Sequence, residues 1–165
     1  MKKIFLIFFL LICYQGIHAQ YDSALCKPNE STVFAFQLEN NKWVSVSKEK
    51  NGKYLVYRFG NKDKIELQVP AVLDTSSWNR FLFSGYSRGG GKENAAMRFG
   101  YLSFRNKETI YEVYELWNSE DDGEHCGLTV MIDNKAGNLK GVLASRHGNL
   151  LDLLYEDKVK KTEDD

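Results

Sequence analysis

Histidine and cysteine are scarce in this chain of 165 residues, at three each, and neither charge sign dominates, with 22 Lys+Arg against 22 Asp+Glu. Each shortage removes a class of function. Beyond the first twenty residues only His125 and His147 are left, and neither stands in a nucleophile or metal-binding motif. There is no Cys-x-x-Cys pair and no nearby histidine cluster, so no metal site is expected. The balanced charge lacks the basic footprint of a nucleic-acid or anionic-membrane binder. Proline occurs only at positions 28 and 70. Pro28 falls in a polar lead-in, and Pro70 ends an alternating stretch because it has no amide hydrogen to give a ladder. The one long apolar run, Ile4 to Tyr14, is too short to cross a membrane.

That run follows Lys2-Lys3 and precedes Ile17-His18-Ala19, an A-x-A-like cleavage site before Gln20. Residues 1–19 therefore read as a secretory signal peptide of bacterial form, and residues 20–165 as one domain that is periplasmic or secreted. Bulky Ile12 stands where a lipoprotein signal needs a small residue before Cys13, so no membrane anchor is expected after cleavage. Losing Lys2 and Lys3 leaves 20 Lys+Arg against 22 Asp+Glu, a net charge of about −2. Cleavage also leaves an even pair of cysteines, Cys26 and Cys126. In an oxidising compartment such a pair reads most simply as a disulfide.

What the chain has in quantity is β-strand signal, supported by an aromatic content of 13%. The clearest stretch is Lys42 to Pro70. Trp43 to Ser47 is β-branched and aromatic, Asn51-Gly52 suits a type I′ hairpin, and Tyr54 to Phe59 is too apolar for a strand bare on one face. Gly60 to Asp63 turns the chain again, and Ile65 to Val69 alternates with period two. Further strands are expected over Thr32–Leu38, Phe81–Ser87, Met97–Phe104, Thr109–Trp117, Leu128–Ile132 and Leu139–Ala144, with an acidic loop from Asn118 to His125. Gly100 reads as a bulge or close approach. Leu150, Leu151, Leu154 and Tyr155 have helical spacing behind a capping Asn149, and Lys160 to Asp165 reads as a charged, frayed end. The fold class is all-β: an antiparallel sandwich or up-and-down barrel of 8–9 strands, closed or rolled half open, with a short C-terminal helix.

The most distinctive local feature is Arg88-Gly89-Gly90-Gly91-Lys92, whose glycines and cations suit an acidic partner group. It is no phosphate loop of the Walker type, because Tyr86 and Glu93 stand where that motif needs Gly and Ser or Thr. No cofactor is implied. Tyr86 beside this loop is a candidate contact, since tyrosine joins apolar area to a polar tip. Tyr54, Tyr57, Tyr101, Tyr111 and Tyr114 read mainly as packing residues. Candidate hydrolytic groups are Glu66, Glu112 and His147; Glu112 and Glu115 alternate along one strand and face opposite ways.

Tyr54-x-x-Tyr57-Arg58-Phe59-Gly60, Ile65-Glu66-Leu67 with Pro70, and Tyr86-Ser87-Arg88-Gly89-Gly90-Gly91 together resemble a group of small exported bacterial all-β proteins without an assigned activity. Members of that group carry extra cysteines in the first two strands, where Phe36 and Ser47 stand here, so the resemblance implies no second disulfide. The Ser84-Gly85-x-Ser87 stretch is also similar to periplasmic lysozyme inhibitors, some of which insert a Ser-Gly loop into the enzyme's active site. The expectation is a binding or inhibitor-like protein that meets a protein partner through Ser84, Tyr86, Arg88, Gly90 and Lys92. The alternatives are a cell-envelope hydrolase acting on glycan or peptide, or a structural envelope component.

Overall fold

The computed structural model describes residues 25–92, 94–120 and 123–162, so the expected signal peptide lies outside it. Among the described residues there are ten strands. They are β1 (Glu30–Leu38), β2 (Trp43–Glu49), β3 (Leu55–Asn61), β4 (Lys64–Val69) and β5 (Phe81–Arg88), then β6 (Met97–Asn106), β7 (Thr109–Asn118), β8 (Gly123–Ile132), β9 (Lys135–Gly148) and β10 (Lys160–Lys161). Two 3-10 helices, Thr75–Arg80 and Leu150–Tyr155, complete the chain. All ten strands join one sheet in the order β10-β5-β6-β7-β8-β9-β1-β2-β3-β4. The all-β class is as expected. The sheet curls into a half-barrel, so that Tyr57 of β3 packs on Phe104 of β6 at 4.6 Å, although five strands lie between them in the order.

Alternation decides which face is inside. Phe34 and Phe36, Val44 and Val46, and Phe81 and Phe83 point inward and are at most 2% exposed. β3 lacks polar alternation because it is covered on both faces: Tyr57 lies in the core, while outward Val56 and the ion-paired Arg58 are also wholly buried. On β7 the inward residues are Tyr111, Val113 and Glu115, which resolves the ambiguity of its mixed faces.

β9 is longer than its apolar pattern suggests because it changes partner midway. Lys140 still pairs with Gly127 of β8, and then Gly141 and Val142 pair with Leu38 and Gln37 of β1. Residues 143–146 bulge out, stitched by Ser145. Its hydroxyl donates to the Val142 carbonyl (2.6 Å) and accepts from the Gln37 amide (2.8 Å). His147 and Gly148 then rejoin β1 opposite Ala35 and Phe34. β8 likewise starts at Gly123, inside the expected acidic loop.

The C-terminal segment is helical as expected, but of the tighter 3-10 form, with Asn149 accepting from the Leu151 amide. Leu150, Leu151 and Leu153 are buried, while Tyr155 is 88% exposed. Gly100 is neither a bulge nor a tight contact: it sits in regular register between Gly85 and Glu115, and a Cβ there would meet Leu150 at ordinary distance. Lys160 and Lys161 do not fray. They pair in parallel with Leu82 and Phe83, which makes the sheet mixed and covers the edge of β5.

Two turn and linkage expectations are corrected. At 51–52 only Gly52 has positive φ, at 71°, so the hairpin is not type I′, which needs both central residues there. Instead the Glu49 carboxylate gathers the loop, accepting from the Asn51 and Lys53 amides. Asp133 and Asn134 carry the paired positive φ values, 48° and 61°, between Ile132 and Lys135. The Cys26–Cys126 disulfide is also absent, both residues being free thiols. Cys26 belongs to the lead-in, where neighbouring Leu25 packs outward-facing Ala35 and Trp43, whereas Cys126 points into the core beside Gly141 and Phe36. The sheet itself separates them. Alkylation of a protein of residues 20–165 in denaturant without reductant should therefore label both cysteines, and mass spectrometry would read two adducts rather than none.

Candidate functional site

The outer face of β5 to β8 carries the most chemistry. Register aligns two rows across it: Tyr86–Phe99–Leu116–His125, and Ser84–Tyr101–Tyr114–Gly127. Tyr86 stacks on Phe99 at 5.7 Å and 30°, and Phe99 contacts Tyr101 at 5.7 Å. Tyr86 is 40% exposed, and Phe99, Tyr101 and Leu116 are half-buried. Tyr114 lies flat over Gly127 and donates to Asn138 Oδ1 at 3.0 Å; a Cβ at Gly127 would occupy the place of its phenol. Beside this patch a cavity of about 440 Å³ runs between Tyr101, Leu116, His125, Cys126 and Lys140, where β9 leaves β8 for β1. Burial pushes the Cys126 thiol up to about 11, with Glu115 and Glu124 adding to it and Arg146 opposing, so it is no thiolate nucleophile at neutral pH.

Three of the five sequence-derived contact residues, Ser84, Tyr86 and Arg88, alternate along β5 and share this outer face. Arg88 is steadied locally, its Nε and Nη2 donating to the Ala95 carbonyl at 3.3 and 3.1 Å. Gly90 and Lys92 lie beyond the strand end, in an open groove of about 520 Å³ shared with Ser119 and Glu120. There the Gly91 amide is taken by the Asn94 carbonyl (2.9 Å), and Ala96 and Ser119 exchange two bonds that tie the tip to the end of β7. Phe99, Leu116 and His125 were not singled out from sequence, and Tyr101 and Tyr114 read as packing residues. The signal that finds them is strand register, which brings together side chains from four strands.

No family model matches this chain, and no curated protein or solved structure does either.

The hydrolytic candidates are dispersed. Glu66 pairs with Lys42 at 2.7 Å, and His147 stacks on Trp43 at 6.0 Å. Glu112 faces outward in the next row beyond Tyr114, where burial pushes its carboxyl up. Among the described residues no hydrogen bond or ion pair joins any two of the three.

Two buried acids have structural partners. Glu30 and Arg58 form a bidentate pair at 2.6 and 2.7 Å, both nearly inaccessible. Glu115 accepts from the Leu150 amide (2.7 Å) and from Arg146 (2.9 Å), fixing the second 3-10 helix to the inner face of β7. Burial raises its pKa, against the opposing pull of the Leu150 amide, Arg146 and Arg98.

Proposed function

We propose that this is an exported binding protein, released to the periplasm or beyond, that recognises another protein on the outer face of β5 to β8. One observation carries the reading: aromatic side chains from neighbouring strands form a continuous, partly exposed patch on the face that turns away from the core. Contiguous aromatic surface rimmed by polar groups marks a protein interaction site, and Tyr supplies area at small entropic cost. In this reading Tyr86 and Phe99 are the central anchors. Arg88, positioned by Ala95, uses its remaining N–H groups on a partner carboxylate, and Gly90 and Lys92 form the rim. A lysozyme is the example of a partner that the Ser84-Gly85-x-Ser87 stretch suggests.

The test is capture by the immobilised mature domain, residues 20–165, from envelope extract and from a panel of purified lysozymes. The expected result is retention of a defined protein at one-to-one stoichiometry, with inhibition if that protein is a lysozyme. Turnover of an envelope glycan or peptide by the domain alone would replace this reading with the hydrolase. Retention of nothing would also overturn it.

A further inference from the structure

A second feature lies on the same outer face, at the opposite end of β5 from Arg88. There a groove of about 320 Å³ runs between Arg80, Leu82, Ser103, Arg105, Ile110 and Lys160. Register explains the gathering. Leu82 pairs with Ser103 of β6 and with Lys160 of β10, while Arg105, two residues beyond Ser103, pairs with Ile110 of β7. Arg80 ends the first 3-10 helix just before Phe81, and its Nη2 donates to the Arg105 carbonyl at 3.3 Å. Three segments far apart in the chain thus bring three cationic residues to one groove.

These cations lack a counter-charge. Among the described residues no ion pair engages Arg80, Arg105 or Lys160, whereas Lys42, Lys48, Arg58, Arg98 and Arg146 each have one. No carboxylate lines the groove. Glu112, opposite Ser103 in register, bonds to none of the three, and burial is what raises its pKa. Like charges set side by side on a sheet repel, so in a chain of balanced charge this cluster favours an incoming anion. All three cations are exposed, so such an anion reaches them without opening the fold.

We infer that this groove binds a phosphate monoester, with the oxyanion between Arg80, Arg105 and Lys160 and the organic part resting on Leu82 and Ile110. A monoester offers three terminal oxygens, enough for cations that arrive from three segments, where a carboxylate offers two in one plane. The site is independent of the aromatic patch, since six residues of β5, about 20 Å, separate Leu82 from Arg88.

The test is calorimetric titration of a protein of residues 20–165, in phosphate-free buffer, with hexyl phosphate, hexanoate and hexanol. Hexyl phosphate should bind saturably at one site, hexanoate about tenfold more weakly, and hexanol not at all. Arg80→Gln and Arg105→Gln should each weaken hexyl phosphate about tenfold, the scale of one hydrogen bond to a charged group. Adding Lys160→Gln to both should abolish binding, while circular dichroism stays that of the parent because all three side chains are exposed. Lys135→Gln, an exposed cation at the start of β9, should change nothing. Sedimentation with vesicles containing phosphatidic acid, which carries the same monoester, separates the two sources of the ligand. Retention that the triple variant loses assigns the ester to a lipid headgroup, and no retention beside hexyl phosphate binding assigns it to a soluble molecule. Absence of saturable hexyl phosphate binding would overturn the inference. So would equal affinity for hexanoate or hexanol, undiminished affinity in the folded triple variant, or an equal loss in Lys135→Gln.

Discussion

Replacing Arg58 by methionine should lower the unfolding free energy of a protein of residues 20–165 by about 3–5 kcal/mol, the usual cost of stranding one member of a buried ion pair. Arg58 donates to both Glu30 oxygens, to Gln68 Oε1 and to the Leu25 carbonyl. Glu30 accepts also from the Tyr54 hydroxyl and the Lys27 amide. Removing the guanidinium strands a carboxylate that is 0% exposed. Urea unfolding would measure the loss. The companion Glu30→Leu, Arg58→Met double variant should recover most of it, since neither charge is then buried. Acid titration gives an independent check. Burial alone would raise the Glu30 pKa, but the Arg58 bonds, the Lys27 amide, the Arg58 charge and the Tyr54 hydroxyl together hold it below its ordinary 4.5. Its stabilising contribution is therefore complete above that value and is lost as pH falls through the lower folded pKa. Glu30→Gln should flatten the stability curve in that acid window.

The second large effect is expected at Gly148. This residue sits at φ 78°, a region that L side chains rarely adopt, and a Cβ there would collide with the Val33 carbonyl. Neither problem can be relieved by a side-chain rotation, because the obstacle is backbone. Gly148 also pairs with Phe34, and the next amide, Asn149, donates to Val33. The strain therefore falls on the junction that joins β9 to β1 and starts the Leu150–Tyr155 helix. Gly148→Ala should cost about 3 kcal/mol or more in denaturant unfolding. Gly89→Ala is the matched control: a Cβ there meets nothing within 4 Å and φ is not positive, so its effect should stay within about 0.5 kcal/mol.

The β1–β4 meander was legible because its signals are local: period-two alternation, a turn after Phe59, and Pro70. The apolar run over Tyr54–Phe59 even announced a strand covered on both faces. Local signals were silent where the chain changes partner. Nothing in Ala144-Ser145-Arg146-His147 reveals that β9, already paired with β1 at Gly141 and Val142, bulges before rejoining it at His147, since the bond that stitches the bulge, Gln37–Ser145, joins residues 108 apart. The cysteine pairing failed for a related reason, as counting thiols carries no information about which face each occupies. At the candidate site, alternation along β5 was enough to group Ser84, Tyr86 and Arg88. Phe99, Tyr101, Leu116 and His125 required cross-strand register, which one sequence does not supply.

The binding account turns on whether the outer aromatic patch makes the contact. The deciding measurement is a calorimetric titration of the captured partner into the parent domain, into Tyr86→Ala with Phe99→Ala, and into a control, Lys64→Ala, on edge strand β4. Central aromatic anchors cost at least about 2 kcal/mol when truncated, so the double variant should bind at least about 30-fold more weakly while remaining folded. The control should match the parent. Full affinity in the folded double variant, or a loss confined to the β4 control, would contradict the account.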